Sequence, residues 1–260
     1  KTQLVELQRN LETFTANGIR VFAISPDDPN ILNRFAQKYD ITYPLLADTD
    51  SRVIRAFGIL NTNIPEDHEW YGIPLPGTYM VDEEGEVFAK TFFADHAVRE
   101  SVNDMLQESF RVADVEHGEV QTFESAHLSA RAYFASPTVR QAQQLVLTVE
   151  VELKEGMHVY GQPLPEGYIP IELSLMDDET LKLVEVEYPE PKEMRFDLID
   201  ETLPAYEGRL EVRAHCRGVA SDRETRRVQV RLRYQACDAR ECYLPQTVVF
   251  DLPVQVLPHD

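Results

Sequence analysis

The spacing of apolar residues changes once along this chain, near Ala113, and that change limits the folds open to it. Before Ala113, helix-like and strand-like segments alternate, as in α/β domains. After it, period-two alternation dominates, and Pro and Gly separate short strand-like runs, a pattern typical of an antiparallel β-sandwich. The sequence therefore predicts two domains of different class, residues 1–115 and 122–260, with the boundary in the polar stretch 113–121.

The first domain carries clear helix and strand boundaries. Asn17-Gly18 predicts a helix end, because Gly tolerates the left-handed cap, and Asp28-Pro29 predicts a helix start. A long connection between Gly58 and Gly77 holds Trp70, the only tryptophan, and loops of this length are usually functional or mobile. The predicted elements are a helix through Phe14, a strand at 19–25, a helix at 30–39, a strand at 43–47, a short helix at 51–57, a hairpin at 78–90 and a helix at 96–110.

The second domain shows apolar residues at every second position of several segments, which predicts half-buried strands. These segments are 145–153, 210–216, 228–234 and 248–252. Cys216 shares a face with the apolar residues of its segment, so we expect it to be a small buried hydrophobic residue.

The other two cysteines, Cys237 and Cys242, are separated by four residues. A disulfide across so short a loop is worth only about 2 kcal/mol in the chain-entropy model, so redox exchange explains it better than stapling does. Exchange needs an attacking and a resolving thiol close together. Asp238 and Glu241 would disfavour a thiolate here and Arg240 would favour it. A static surface disulfide, or two reduced cysteines without a role, are the alternatives.

Composition and motifs exclude several function classes. The net charge of −20 argues against nucleic acid and anionic lipid as partners. No apolar run approaches the ~18 residues needed to span a membrane. The histidines show no metal-type spacing with the cysteines, and the chain has no phosphate-binding loop, nucleophile elbow or dinucleotide fingerprint. We therefore expect no metal and no dissociable cofactor.

Residues 1–7, 21–27 and 76–85 resemble the redoxin and peroxiredoxin (AhpC/TSA) family, which has a thioredoxin-like fold. The third segment is the most specific, since it follows the family pattern Pro-x-Thr-x-x-(Ile/Val)-Asp-x-x-Gly. The resemblance implies that Pro76, beside Gly77, occupies the position of the cis proline that holds an extended partner next to the reactive thiol. Trp70 would either line a partner groove there or pack within its loop.

The first domain departs from that family because it contains no cysteine. In the family, the nucleophilic cysteine starts the first helix, where the helix dipole lowers the thiol pKa. Here that helix is already under way at Lys1, so we expect a cysteine motif immediately upstream. A redox-inactive domain is the alternative.

Residues 123–258 resemble the DsbD N-terminal domain family, which has an immunoglobulin-like fold. The resemblance lies in Tyr234-Gln-Ala-Cys237, in Cys242-Tyr-Leu-Pro245 and in the segment 153–160. It implies that the two cysteines form the redox-active pair and that Tyr234 contributes to partner contact. It also suggests Phe196 as an aromatic lid over the disulfide, with a core phenylalanine as the equal alternative. The family usually has five residues between its cysteines, so the thiol geometry stays open.

Together these features predict an extracytoplasmic, for example periplasmic, thiol–disulfide oxidoreductase. Its partners would be thiol or disulfide proteins, and the two domains could exchange electrons with each other. A peroxiredoxin-like peroxidase and a non-enzymatic binding module with a thioredoxin-like scaffold are the alternatives. The partner, the direction of electron flow, the attack order and the oligomeric state stay open.

Overall fold

The computed structural model describes residues 2–92, 99–112, 115–176, 179–196, 199–220 and 222–258, without the side chain of Glu108. It divides into two compact units between Val115 and Glu116. Each unit encloses a hydrophobic core of its own. Within the described residues, no helix has both the length and the apolar character needed to cross a membrane.

The first unit alternates helices with short strands. Strands β1 and β2 pair in parallel, and β3 and β4 form an antiparallel hairpin. A π-helical turn, Met105–Ser109, follows the last helix. The elements are α1 (Thr2–Arg9), α2 (Leu11–Ala16), β1 (Ala23–Ser25), α3 (Pro29–Lys38), β2 (Leu45–Ala47), α4 (Arg52–Ala56), β3 (Gly77–Val81), β4 (Val87–Phe92) and α5 (Val102–Asp104).

Local sequence signals set the helix ends of this unit as predicted. The Asp28 carboxylate accepts a hydrogen bond from the Asn30 N–H at 2.8 Å, and Pro29 occupies the first helical position. Gly18 follows the end of α2 with a φ of +72°. The α/β thioredoxin-like class is confirmed.

Four elements of the first unit differ from expectation. The helix predicted through Phe14 is divided at Asn10 into α1 and α2, and the strand predicted at 43–47 is regular only over Leu45–Ala47. The strand predicted at 19–25 is regular only over Ala23–Ser25, because its partner β2 offers three residues for pairing. The helix predicted at 96–110 is observed from Val102, and its predicted start at His96 lies outside the described residues.

The second unit is built from strands, and none of its described residues is helical. The strands are β5 (Gln121–Glu124), β6 (Leu128–Phe134), β7 (Thr138–Arg140), β8 (Gln144–Leu153), β9 (His158–Tyr160), β10 (Glu172–Leu175), β11 (Leu181–Glu187), β12 (Lys192–Phe196), β13 (Glu201–Glu207), β14 (Arg209–Gly218), β15 (Thr225–Tyr234), β16 (Ala236–Cys237) and β17 (Gln246–Leu257). They form three sheets, ordered β11-β14-β8-β6-β5, β10-β15-β17-β7 and β12-β13-β9-β16.

Side chains of the first two sheets enclose one core, as in a β-sandwich. The predicted alternation is confirmed in β14, β15 and β17, where Val212, Val230 and Leu252 are fully buried between more exposed neighbours. In β8 the prediction was wrong, because the run from Leu145 to Val149 is buried on both faces. Cys216 is also fully buried in this core, as expected. The described strands of these two sheets pair antiparallel, except that the edge strand β7 runs parallel to β17. The all-β, immunoglobulin-like class is therefore confirmed.

Candidate redox site

The small sheet β12-β13-β9-β16 carries the cysteine pair. In the antiparallel pairing of β16 with β9, Cys237 lies opposite His158 and Ala236 lies opposite Val159. Because successive residues of a strand face opposite sides, Val159 enters the sandwich core while Tyr160 and Cys237 belong to a separate apolar cluster. The cysteine pair thus lies on the face of the small sheet that is turned away from the main core.

Cys237 and Cys242 form a disulfide, with their sulfur atoms 2.05 Å and their Cα atoms 4.0 Å apart. The two cysteines differ in accessibility. Cys237 is 1% exposed, whereas Cys242 is an exposed residue. A partner thiol can therefore approach the bond from the side of Cys242.

The turn between the cysteines is shaped by Asp238. Its backbone N–H donates to the Glu241 carbonyl at 2.9 Å, and its carboxylate accepts from the N–H groups of Arg240 at 2.7 Å and Glu241 at 2.9 Å. The Tyr243 hydroxyl donates to the same carboxylate at 3.0 Å. These hydrogen bonds, led by the one from Arg240, hold the pKa of Asp238 below its ordinary value. Asp238 therefore stays ionised and holds the turn closed.

Aromatic side chains surround the disulfide on the small sheet. The Phe196 ring lies 4.6 Å from the His158 ring and 5.6 Å from the Tyr160 ring, between centroids. Tyr168 meets Tyr160 edge-on at 5.3 Å. The Tyr160 hydroxyl is 3.8 Å from the Cys242 sulfur. Phe196 thus packs against the cluster that contains Cys237, at a position that suits the predicted lid.

His158 was not singled out from the sequence, yet it lies beside the disulfide. Its side chain is 6% exposed, and its Nε2 atom is buried without a hydrogen-bond partner. Burial lowers its pKa, while the charges of Asp238 and Glu207 act in the opposite direction. Two signals in the sequence could have found it: His158 belongs to the segment 153–160 that carries the family resemblance, and it lies two residues before Tyr160, on the same face of a strand.

Tyr234 does not join this site, and its predicted role in partner contact is wrong. It is fully buried in the sandwich core, and its hydroxyl donates to Gln246 Oε1 at 2.5 Å. The reason is strand alternation, because Tyr234 falls on the inward face of β15 together with Val230 and Leu232.

The remaining predicted residues lie in the first unit. Trp70 is 61% exposed, with its ring edge-on to His68 at 5.5 Å. The bond preceding Pro76 is trans, which corrects the expected cis proline; the cis bond of the described residues joins Gln162 and Pro163. Gly77 has a packing role, because a Cβ atom there would lie 2.2 Å from the Phe92 ring.

No metal centre is found within the described part of the chain, where no three His, Cys, Asp or Glu side chains are placed to hold an ion. The reactive atoms of the site are the two sulfur atoms of the disulfide, with Tyr160 and His158 beside them.

Comparison with known proteins matches each unit to a family. Residues 1–90 match the AhpC/TSA family model. A Mycobacterium tuberculosis protein named as a peroxiredoxin is 35% identical over 89 residues, which are 33% of this chain and 54% of the relative. The thiol-disulfide oxidoreductase ResA of Geobacillus thermodenitrificans is 24% identical over 75 residues, 28% of this chain and 36% of ResA. The chain spans about half the length, or less, of these curated relatives.

The second unit matches a different family. The N-terminal periplasmic domain of ScsB from Proteus mirabilis is 15% identical, covers 53% of this chain and 50% of the ScsB chain, and gives a TM-score of 0.38. Residues 124–253 match the family model of the thiol:disulfide interchange protein DsbD, N-terminal. Because this model covers half of the chain and includes both bonded cysteines, the chain belongs to the DsbD N-terminal domain family, with an AhpC/TSA segment ahead of it.

Proposed function

We propose that the chain is a thiol–disulfide oxidoreductase that exchanges electrons with partner proteins through Cys237 and Cys242. One observation carries the proposal: in the disulfide, Cys237 is buried while Cys242 is exposed. The hydroxyl of Tyr160 lies beside the exposed sulfur. A bond that closes so short a loop adds little stability, so its position is better suited to reversible exchange than to cross-linking.

The different accessibility of the two cysteines favours one order of exchange. A partner thiolate attacks the sulfur of Cys242, the bond to Cys237 breaks, and Cys237 leaves as a thiolate. A second partner thiolate then attacks the partner sulfur of the mixed disulfide, which releases Cys242 and oxidises the partner pair. In the reverse direction, Cys242 attacks a partner disulfide and Cys237 resolves the mixed disulfide. Tyr160, 3.8 Å from the Cys242 sulfur, and Phe196 would contact the incoming partner.

The compartment and the domain limits belong to the same proposal. An oxidising, extracytoplasmic compartment such as the periplasm suits a protein whose cysteine pair forms a disulfide. The proposed domains are residues 1–115, thioredoxin-like, and 122–260, DsbD-like. Pro76, Gly77 and Trp70 would form the partner-facing side of the first domain. None of the three cysteines lies in that domain, so an electron relay between the domains stays a prediction.

Trapping tests the proposal. Cys237→Ser leaves the exposed cysteine without its resolving thiol. Its Cys242 thiolate should attack an oxidised, disulfide-bonded model protein, release one partner thiolate and accumulate a mixed disulfide, detected by mass spectrometry under non-reducing conditions. Cys242→Ser should trap far less, because the remaining sulfur is buried. Cys216→Ser is the matched control. Cys216 is a buried cysteine of the sandwich core and is not bonded to either member of the pair, so this variant keeps the exchange site intact. Equal trapping by all three variants, or by none, would contradict the proposal.

A peroxidase is the second candidate, favoured by the AhpC/TSA match and the peroxiredoxin relative. Because the first domain of this sequence holds no cysteine, that activity would need a thiol from outside these residues. Peroxide consumption that survives loss of both Cys237 and Cys242 would favour it, whereas the exchange proposal predicts none. A pure binding module predicts unchanged partner affinity in Cys237→Ser and no mixed disulfide.

A further inference from the structure

Three side chains form one row across the small sheet. In the pairing of β13 with β9, Glu207 lies opposite His158, and in the pairing of β9 with β16, His158 lies opposite Cys237. Side chains directly opposite each other in antiparallel strands have Cβ atoms about 4.5–5.5 Å apart and share a face of the sheet. A carboxylate, an imidazole and a sulfur therefore follow one another on the face that carries the disulfide.

His158 is enclosed in this row but lacks a partner for Nε2. Its ring packs on Phe196 at 4.6 Å and on Tyr160 at 5.4 Å, and its Nε2 atom forms no hydrogen bond. A buried polar atom without a partner is costly and calls for an explanation. In the disulfide state the neighbouring sulfur carries no proton, whereas a reduced Cys237 would present an S–H group to the imidazole.

The ionisable groups around His158 come from each neighbouring strand. Glu207 on β13 is exposed, and its carboxylate forms a salt bridge with Lys192 of β12 at 2.9 Å. The positive charge of Lys192 therefore weakens the effect of Glu207 on the imidazole of His158. Asp238 approaches from the turn that joins the cysteines, and its charge, like that of Glu207, favours the protonated imidazole. Burial outweighs both charges, so the imidazole is neutral near pH 7 and can accept a proton.

We propose that His158 is the general base of the resolving step, an inference that rests on the proposed exchange function. After Cys242 has formed a mixed disulfide with a partner, His158 takes the proton of the Cys237 thiol. The Cys237 thiolate then attacks the sulfur of Cys242, the internal disulfide forms, and the partner leaves as a thiolate. The imidazolium proton passes to that thiolate or to solvent. In the opposite direction the imidazolium protonates Cys237 as it leaves.

The size of the effect follows from thiol acidity. An ordinary thiol with a pKa near 8.5 is only about 3% thiolate at pH 7. Full deprotonation by a neighbouring base can therefore speed the resolving step by roughly 30-fold at most. Above about pH 9 the thiol ionises without help, so the advantage of His158 should fade there.

Reaction of the reduced chain with an aromatic disulfide reagent separates the two steps. The exposed Cys242 releases one coloured thiolate as the mixed disulfide forms, and attack by Cys237 then releases a second. We expect His158→Phe and His158→Gln to slow the second release by up to about 30-fold at pH 7 and to leave the first unchanged. His215→Gln is the matched control, because His215 lies on β14, in a different sheet.

Rescue distinguishes a base from a packing residue. A cleft of about 400 Å³ opens at His158 and is also lined by Met194, Lys192 and Glu207. Added imidazole should therefore enter His158→Ala and restore the second release, with a pH dependence that follows the imidazole pKa. A second release of unchanged rate in all three His158 variants would overturn the inference. Absence of the second release from the unmodified chain would instead overturn the exchange function itself.

Discussion

Loss of the Cys237–Cys242 bond should weaken the second unit only slightly. The cysteines are five positions apart in the sequence, and the chain-entropy model gives about 2 kcal/mol for a loop of that length at 25 °C. The rest of the unit keeps its core, because that core is formed by other strands of the sandwich. For a domain of roughly 150 residues, 1 kcal/mol shifts Tm by about 2–4 °C, so reduction should lower Tm by about 4–8 °C.

Urea unfolding of the full chain, with and without dithiothreitol, measures this difference. Circular dichroism in the far ultraviolet follows the strands, while fluorescence of Trp70, the only tryptophan, reports on the first unit. The fluorescence transition should not respond to the reductant. The double variant Cys237→Ala/Cys242→Ala controls for other effects of dithiothreitol, since its transition should be the same in both conditions.

Two results would refute this reasoning. A loss above about 4 kcal/mol would identify the disulfide as a structural cross-link, because loop entropy cannot supply so much from so short a loop. No measurable loss would show that the Asp238 turn already holds both thiols in place without the bond.

Three further variants test single contacts. Phe196→Ala should speed reduction of the disulfide by dithiothreitol if the ring shields the bond, and an unchanged reduction rate would exclude a lid. The same variant should lower the free energy of unfolding by about 2 kcal/mol, because the ring is only partly buried. The second unit should lose stability as pH falls below about 6.5, because unfolded histidine binds a proton that buried His158 resists, and His158→Phe should abolish this part of the pH dependence of the urea midpoint. Gly77→Ala should destabilise the first unit by about 1–3 kcal/mol, measured by Trp70 fluorescence, because the new methyl group meets the Phe92 ring; an unchanged midpoint would mean that the ring moves freely.

Local signals in the sequence predicted the two fold classes well. The α/β alternation, the cap at Asp28 and the turn at Gly18 depend on residues that are neighbours in the chain, and all three are observed. Strand length was predicted less well, because β1 extends only as far as its partner strand allows.

The structure places two of the predicted site residues, Phe196 and Tyr234, in different hydrophobic clusters of the second unit. Phe196 packs against the cluster that contains Cys237, and its role as a lid stays a prediction. Tyr234 is only three residues from Cys237 in the sequence, yet its side chain enters the opposite core. Alternation within β15 decides that direction, and the apolar alternation of segment 228–234 already indicated it in the sequence, against the family resemblance.

By itself, the sequence determined that the chain holds an α/β part and an all-β part, and that only four residues separate its cysteine pair. The tertiary structure alone decided that Cys237 is buried and Cys242 is exposed, and that Glu207, His158 and Cys237 form one row. The reason is strand pairing. It places His158 opposite a cysteine almost eighty residues later in the chain, and no periodicity within either segment encodes that register.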